Sequence, residues 1–166
     1  MRKIVIFLFI IMLLIICINK NTNILIPENA IRIRIVANSN DLKDQEIKLI
    51  IKDKVNELLY SKLKNVNNYN DARSIISSCV KNIENTVEEY TDDYKVIYGK
   101  NYFPKKEYKG VSYEEGNYES LVIKLGNAKG NNFWCVLFPP LCMIDENKLN
   151  NVSYKFFVSE LLNKIK

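Results

Sequence analysis

Histidine is absent from the 166 residues. No triad or dyad built on imidazole, and no metal site with a histidine ligand, is therefore available. What remains for chemistry are carboxylates, hydroxyls, thiols and cations. Asp53 and Glu57 stand four apart, a spacing that puts two carboxylates on one helix face, where a pair can do acid–base work. Both are interleaved with lysines and nothing in the sequence buries them, which is the pattern of a solvated face. A serine beside a lysine can act as nucleophile and base without histidine, yet no elbow or signature surrounds any serine. Gly126 and Gly130 bracket a stretch that superficially suggests a phosphate loop. It lacks the Gly-Lys-Ser/Thr ending and sits between two strands rather than before a helix, so it reads as a hairpin turn. Asp145-Glu146-Asn147 opens like a calcium loop but has neither the central glycine nor the closing glutamate, and reads as a polar turn. Catalytic, metal-binding and cofactor-binding residues are all expected to be absent.

Recognition chemistry is better represented. Arg32 and Arg34 stand on the polar side of an alternating segment and have the fork geometry to hold an acidic partner segment bidentately. The alternative is a charged strand face paired with neighbouring acids. Trp134-Cys135-Val136-Leu137-Phe138-Pro139-Pro140-Leu141-Cys142 is the most unusual stretch. Its double proline can turn the chain back so that Cys135 and Cys142 approach, and outside the cytoplasm such a pair can oxidise. Two buried free thiols are the alternative. Cys79 falls in a helical core stripe and reads as an apolar filler. A net charge of +5, from 24 basic and 19 acidic residues, is too weak and too dispersed to suggest nucleic acid.

These residues need elements to position them. Arg2 and Lys3 precede an unbroken apolar run from Ile4 to Ile18. At ~1.5 Å per residue this is about 22 Å of helix, short of a bilayer core and suited to a signal sequence. No small-residue cleavage box follows, so residues 1–19 are expected to be a signal sequence or short membrane anchor. The more positive flank stays in the cytoplasm, which puts the remainder outside the membrane. Residues 20–30 read as a polar tether and 31–166 as one extracytoplasmic domain. Ile31-Arg32-Ile33-Arg34-Ile35 alternates as a half-buried strand with isoleucine inward. Asp41 is placed to cap a helix running to about Leu63, with Ile47, Ile50, Ile51, Val55, Leu58 and Leu59 as its apolar stripe. Asn70 or Asp71 is expected to cap a second helix whose stripe is Ala72, Ile75, Ile76, Cys79, Val80, Ile83 and Val87. Strands are predicted at Tyr94–Tyr98, around Leu121–Leu125 and at Phe133–Phe138, with an irregular connection over 105–117 and a last helix after Ser153. The strands near Leu121 and Phe133 are joined by a short turn, so they are expected to pair antiparallel. The fold class is α+β: one antiparallel sheet with helices packed on one face, preceded by the N-terminal hydrophobic signal or anchor helix.

Several segments, in this order, carry a resemblance: Ile31 to Asp41, Asp44-Gln45 with Lys48 and Asp53, Tyr102-Phe103-Pro104-Lys105, Gly116 to Leu121, and above all Asn132 to Cys142. Together they resemble the stage II sporulation protein R family of endospore-forming bacteria. Where family members usually read Asn-Ser-Asp this chain has Asn38-Ser39-Asn40-Asp41, and where they often carry two tryptophans it has Phe133-Trp134. The resemblance implies a signalling protein rather than an enzyme. It would be made in the forespore, exported between the forespore and mother-cell membranes, and would trigger a membrane-embedded aspartic-type protease that cleaves the sigma-E precursor. Candidate contacts with that partner are Trp134, Phe138, Pro139 and Pro140, an aromatic anchor beside rigid prolines, with Arg32 and Arg34 adding orientation. The alternative for the apolar four is a role in the core or turn. Two rival functions are a cell-wall hydrolase working through Asp53 and Glu57, and a passive structural protein of the septal space.

Overall fold

Ile31, Ile33 and Ile35 are fully buried, as the alternation of the first long strand requires. The computed structural model describes residues 24–25, 29–108 and 111–140. Elements run β1 (Ile24–Leu25), β2 (Ile31–Val36), α1 (Leu42–Leu63), α2 (Tyr69–Glu88), β3 (Tyr94–Phe103), β4 (Lys106–Tyr108), β5 (Val111–Tyr113), β6 (Gly116–Leu125) and β7 (Asn132–Phe138). The apolar run 4–18, Cys17, Cys142, the 145–147 turn and the helix expected after Ser153 lie outside the described residues. Among the described residues no helix is long and apolar enough to cross a membrane. Ile24–Leu25, inside the stretch read as tether, pairs in parallel with Val111–Ser112, and β4 completes that small sheet in the order β1-β5-β4.

The main sheet has the order β3-β6-β2-β7. It corrects two expectations. β6 and β7 are not neighbours, because β2 lies between them, parallel to β6 and antiparallel to β7. The sheet is therefore mixed rather than purely antiparallel. β2 and β6 are the two interior strands, and β2 is covered on both faces: five of its six residues are buried. The turn after β6 consequently spans β2 instead of closing a hairpin. It is fastened to the loop after β2 by bonds from Lys129 N–H to the Asn38 carbonyl and from Gly130 N–H to the Ala37 carbonyl.

Both helices cover one face of the sheet. Ile51, Val55, Leu59 and Leu63 of α1 and Ala72, Ile76, Cys79, Ile83 and Val87 of α2 are buried with Leu121, Ile123 and Leu125 of β6 and Leu137 of β7. Each fully buried branched side chain contributes roughly 1.5–3 kcal/mol by leaving water. α1 is less amphipathic than its predicted stripe. Lys48 takes one of its buried positions, while Leu42 and Leu49 face solvent.

The capping differs from expectation at both helices. Asp41 does occupy the N-cap position of α1, but its side chain makes no capping bond. Ser39 Oγ instead accepts the Asp41 N–H, and Asn38 Nδ2 donates to the Asp44 carboxylate. α2 begins at Tyr69, capped by Asn68, whose Oδ1 accepts the Asp71 N–H at 2.9 Å. Asn70 and Asp71 are already inside the first turn, where an acid favours the helix dipole.

Candidate partner-binding face

The side chains that alternate away from the helices form a second sheet face, and the arginines stand in its middle. The β2–β7 register sets Arg34 opposite Trp134 and Arg32 opposite Val136. Phe103 joins them from the far end of β3. Gly99, Ser120 and Arg32 share a row, and Phe103 lies four residues beyond it, about 13 Å along an extended strand. Its ring is nevertheless 5.5 Å from the guanidinium carbons of both arginines and 5.2 Å, edge-on, from Trp134. The β3–β6 hairpin must therefore curl over this face. It does so around Asn101, whose amide donates to the Gly99 carbonyl and to Ser120 Oγ.

The result is a layered stack of cations and rings. Arg32 lies 3.4 Å from the Tyr118 centroid and is only 2% exposed. Arg34 lies 5.0 Å from Trp134, and Lys106 Nζ is also 5.0 Å from that indole. Cations over ring faces gain about 0.5–2 kcal/mol each, the more so when desolvated. The expectation of neighbouring acids fails for Arg34: its partners are rings, its Nε is buried without a hydrogen bond, and burial draws its pKa below the ordinary arginine value. Trp134 Nε1 is buried and unbonded as well.

The other candidates lie elsewhere. Phe138 is buried in the core cluster, Pro139 is buried after a cis peptide bond, and Pro140 is half-buried. Of the apolar four, Trp134 is thus the one on the second face. Cys135 packs against the helix-side core and is disulfide-bonded; Cys142, its expected partner, lies outside the described residues. Cys79 is free and buried. Asp53 and Glu57 are exposed and meet Lys52 at 2.8 Å and Lys54 at 3.9 Å. Glu119 is the buried carboxylate, held by Arg73 Nε at 3.0 Å, with the Tyr98 hydroxyl donating to the Arg73 carbonyl. Burial, and then the Glu119 charge, push the Tyr98 phenol far above its ordinary value. This group ties α2 to β6. Among the described residues no cluster of three metal-ligating side chains occurs.

Sequence reasoning did not name Phe103, Tyr118 or Lys106 as site residues, although Phe103 and Tyr118 fall in segments that carry the family resemblance. Phe103 reads as a strand-breaker beside Pro104, and its place over the arginines depends on a sheet order that local periodicity does not carry. The loop after β2 is equally informative. Asn38 Oδ1 accepts the Asn127 N–H, Asn40 Oδ1 accepts the Asn131 N–H, and Lys48 Nζ donates to the Asn131 carbonyl. A Cβ on Gly126 would lie 2.4 Å from Asn38 Oδ1, and one on Gly130 would lie 2.1 Å from the Ser39 carbonyl oxygen. The two glycines are there to let two loops touch.

Residues 27–148 match the family model described as stage II sporulation protein R. The chain belongs to this family. Stage II sporulation protein R of Bacillus subtilis (strain 168) is 38% identical over 133 residues, which are 76% of this chain and 59% of that relative. The chain thus spans about three-fifths of that relative's length. No solved structure matches. The family match encloses the second-face stack, the loop hub and Cys135.

Proposed function

We propose that this chain is a signalling protein exported, by its N-terminal apolar run, into the space between the forespore and mother-cell membranes. There it switches on a membrane-embedded aspartic-type protease that cleaves the sigma-E precursor. The family match over 27–148 is the observation that carries this reading. The chemistry of the molecule is compatible with it: the exposed carboxylate pair Asp53 and Glu57 lies on a solvated face, whereas the second sheet face offers shape and charge. A ligand turns a receptor on only by binding its active state more tightly than its inactive one. A stack of rings and guanidinium groups, ordered before any encounter, loses little entropy on binding and can supply that difference.

The test is co-expression with the protease and the sigma-E precursor in a host that does not sporulate. Processing is expected with the intact chain, to persist in Asp53→Asn/Glu57→Gln, and to fall in Trp134→Ala provided that variant is exported and folded. Full processing by Trp134→Ala removes this face from the signalling surface. Precursor processing that continues normally after deletion of the gene removes the signalling role itself.

A further inference from the structure

We propose that the second sheet face is a binding site for an extended acidic protein segment, whose carboxylates on alternate residues meet Arg34, Lys106, Lys95 and Lys124. The proposal rests on the reading above only in taking the partner to be a protein.

Three observations carry it. The first is the sign of the face. Alternation sets Arg34, Lys95 and Lys124 on it, beside Arg32, which is already engaged with Tyr118 inside the fold, because Ile33, Val96 and Ile123 next to them belong to the helix-side core. None of the second-face positions of β2, β3, β6 and β7 is an aspartate or a glutamate, and Glu114 and Glu115, of the hairpin that brings Lys106, are engaged by Lys105 and the Tyr102 hydroxyl. Ion pairs join Lys52 to Asp53, Lys54 to Glu57, Arg73 to Glu119, Lys81 to Glu84 and Lys105 to Glu114, and Arg34, Lys95, Lys106 and Lys124 take part in none of these. The second is the state of Arg34. Its guanidinium carbon lies 5.5 Å from Phe103 and 5.0 Å from Trp134, two rings that touch each other and so flank it from one side, and no carboxylate among the described residues meets it. With its Nε buried, the terminal Nη groups are the donors left to take a carboxylate. The third is spacing. Lys95 and Lys124 share a row two residues along from the row of Arg34 and Trp134. That step is about 7 Å, the same as between alternate side chains of an extended peptide.

An acidic protein segment fits better than an anionic bilayer. Trp134 is half-buried against Phe103, so no aromatic side chain of the stack projects to enter lipid. The cations lie in rows on a sheet rather than along an amphipathic helix.

Trp134 is the single tryptophan of the chain, so its emission reports on the face directly. The exported protein is titrated with a peptide of alternating glutamate and threonine, with the glutamine version of that peptide, and with phosphatidylglycerol vesicles. A saturable change in emission is expected with the glutamate peptide alone, weakening as salt rises. Arg34→Gln and Lys106→Gln should each weaken it about tenfold, the loss of one charge-assisted contact. Lys43→Gln, exposed on α1, should not. Circular dichroism shows whether the variants keep their fold, and Lys106, exposed on a short strand, is the one least coupled to folding.

No saturable change, an equal response to the glutamine peptide, or a stronger response to vesicles overturns the proposal. The segment after Leu141 carries Asp145 and Glu146; if it fills this face, emission stays constant on adding peptide, and that too overturns it. Peptide binding without precursor processing in the co-expression assay would leave this site standing and remove the signalling reading. Processing without peptide binding would do the reverse.

Discussion

Asn38 shows how much a single amide decides here. Its Oδ1 accepts from Asn127 and its Nδ2 donates to Asp44, so one side chain joins the loop after β2, the start of α1 and the turn after β6. Replacing it by alanine leaves the Asn127 N–H unmatched. Asn38→Ala should cost about 0.5–1.5 kcal/mol, read as a lower urea midpoint at unchanged slope. The same variant has a pH signature. Hydrogen bonds from Ser39 and Asn38 hold the Asp44 carboxyl below its ordinary value. A carboxyl depressed in the folded state contributes stability that is present above its unfolded value and lost as pH falls through the folded one. The intact chain should therefore lose stability from Asp44 below about pH 4, and Asn38→Ala should show a flatter midpoint-against-pH curve there. Gly130→Ala places a methyl group against the Ser39 carbonyl and should destabilise by roughly 2 kcal/mol or more. None of this was visible beforehand: Gly126 and Gly130 mark a turn in any sequence, but that the turn leans on residues 37–40 follows only from the strand order.

At the scale of elements, the periodic segments were legible and the joints were not. Ala72, Ile76, Cys79, Ile83 and Val87 of the predicted α2 stripe are buried, with Ile75 and Val80 half-buried at its edges, because spacings of three and four leave a helix one way to face a core. α1 was read correctly in extent, yet Lys48, outside the predicted stripe, is buried, its ammonium donating to the Asn131 carbonyl. The two caps offer a direct contrast. Asn68→Ala removes a bonded cap and should cost about 1 kcal/mol. Asp41→Ala removes a cap residue whose side chain bonds nothing in the helix and should cost less than about 0.5 kcal/mol. Thermal unfolding of the two variants side by side checks the difference; equal losses would mean that Asp41 caps in solution after all. The mixed sheet escaped prediction for a related reason. A short turn between two strands normally means adjacent pairing, and only the burial of both faces of β2 shows why that strand takes the place between them.

Across the whole molecule, one face is a hydrocarbon core shared with two helices and the other a stack of rings and cations. The candidate site was half legible: Arg32, Arg34 and Trp134 could be named from composition and alternation, whereas Phe103, Tyr118 and Lys106 reach them through the curl of a hairpin. The disulfide at Cys135 belongs to this scale too. Residues 130–148 hold both Cys135 and Cys142 and no internal Lys or Arg, so we expect a tryptic digest of the exported protein, made without reductant, to contain this peptide lighter by two hydrogens than its reduced form. Cys79 should react with iodoacetamide only after unfolding. A Cys135–Cys17 peptide instead would reassign the bond.

The place of β2 has a kinetic consequence. It is the first long strand to be synthesised, and both of its neighbours, β6 and β7, come from the other end of the described chain. A centre that waits for its flanks makes long-range pairing the slow step. The helix pair can gather early, since its contacts are local, but Ile31, Ile33 and Ile35 stay wet until residue 138 is free. A chain emerging amino-end first from a ribosome or a membrane channel would thus remain pliable for almost its whole passage and set only as the last strand arrives.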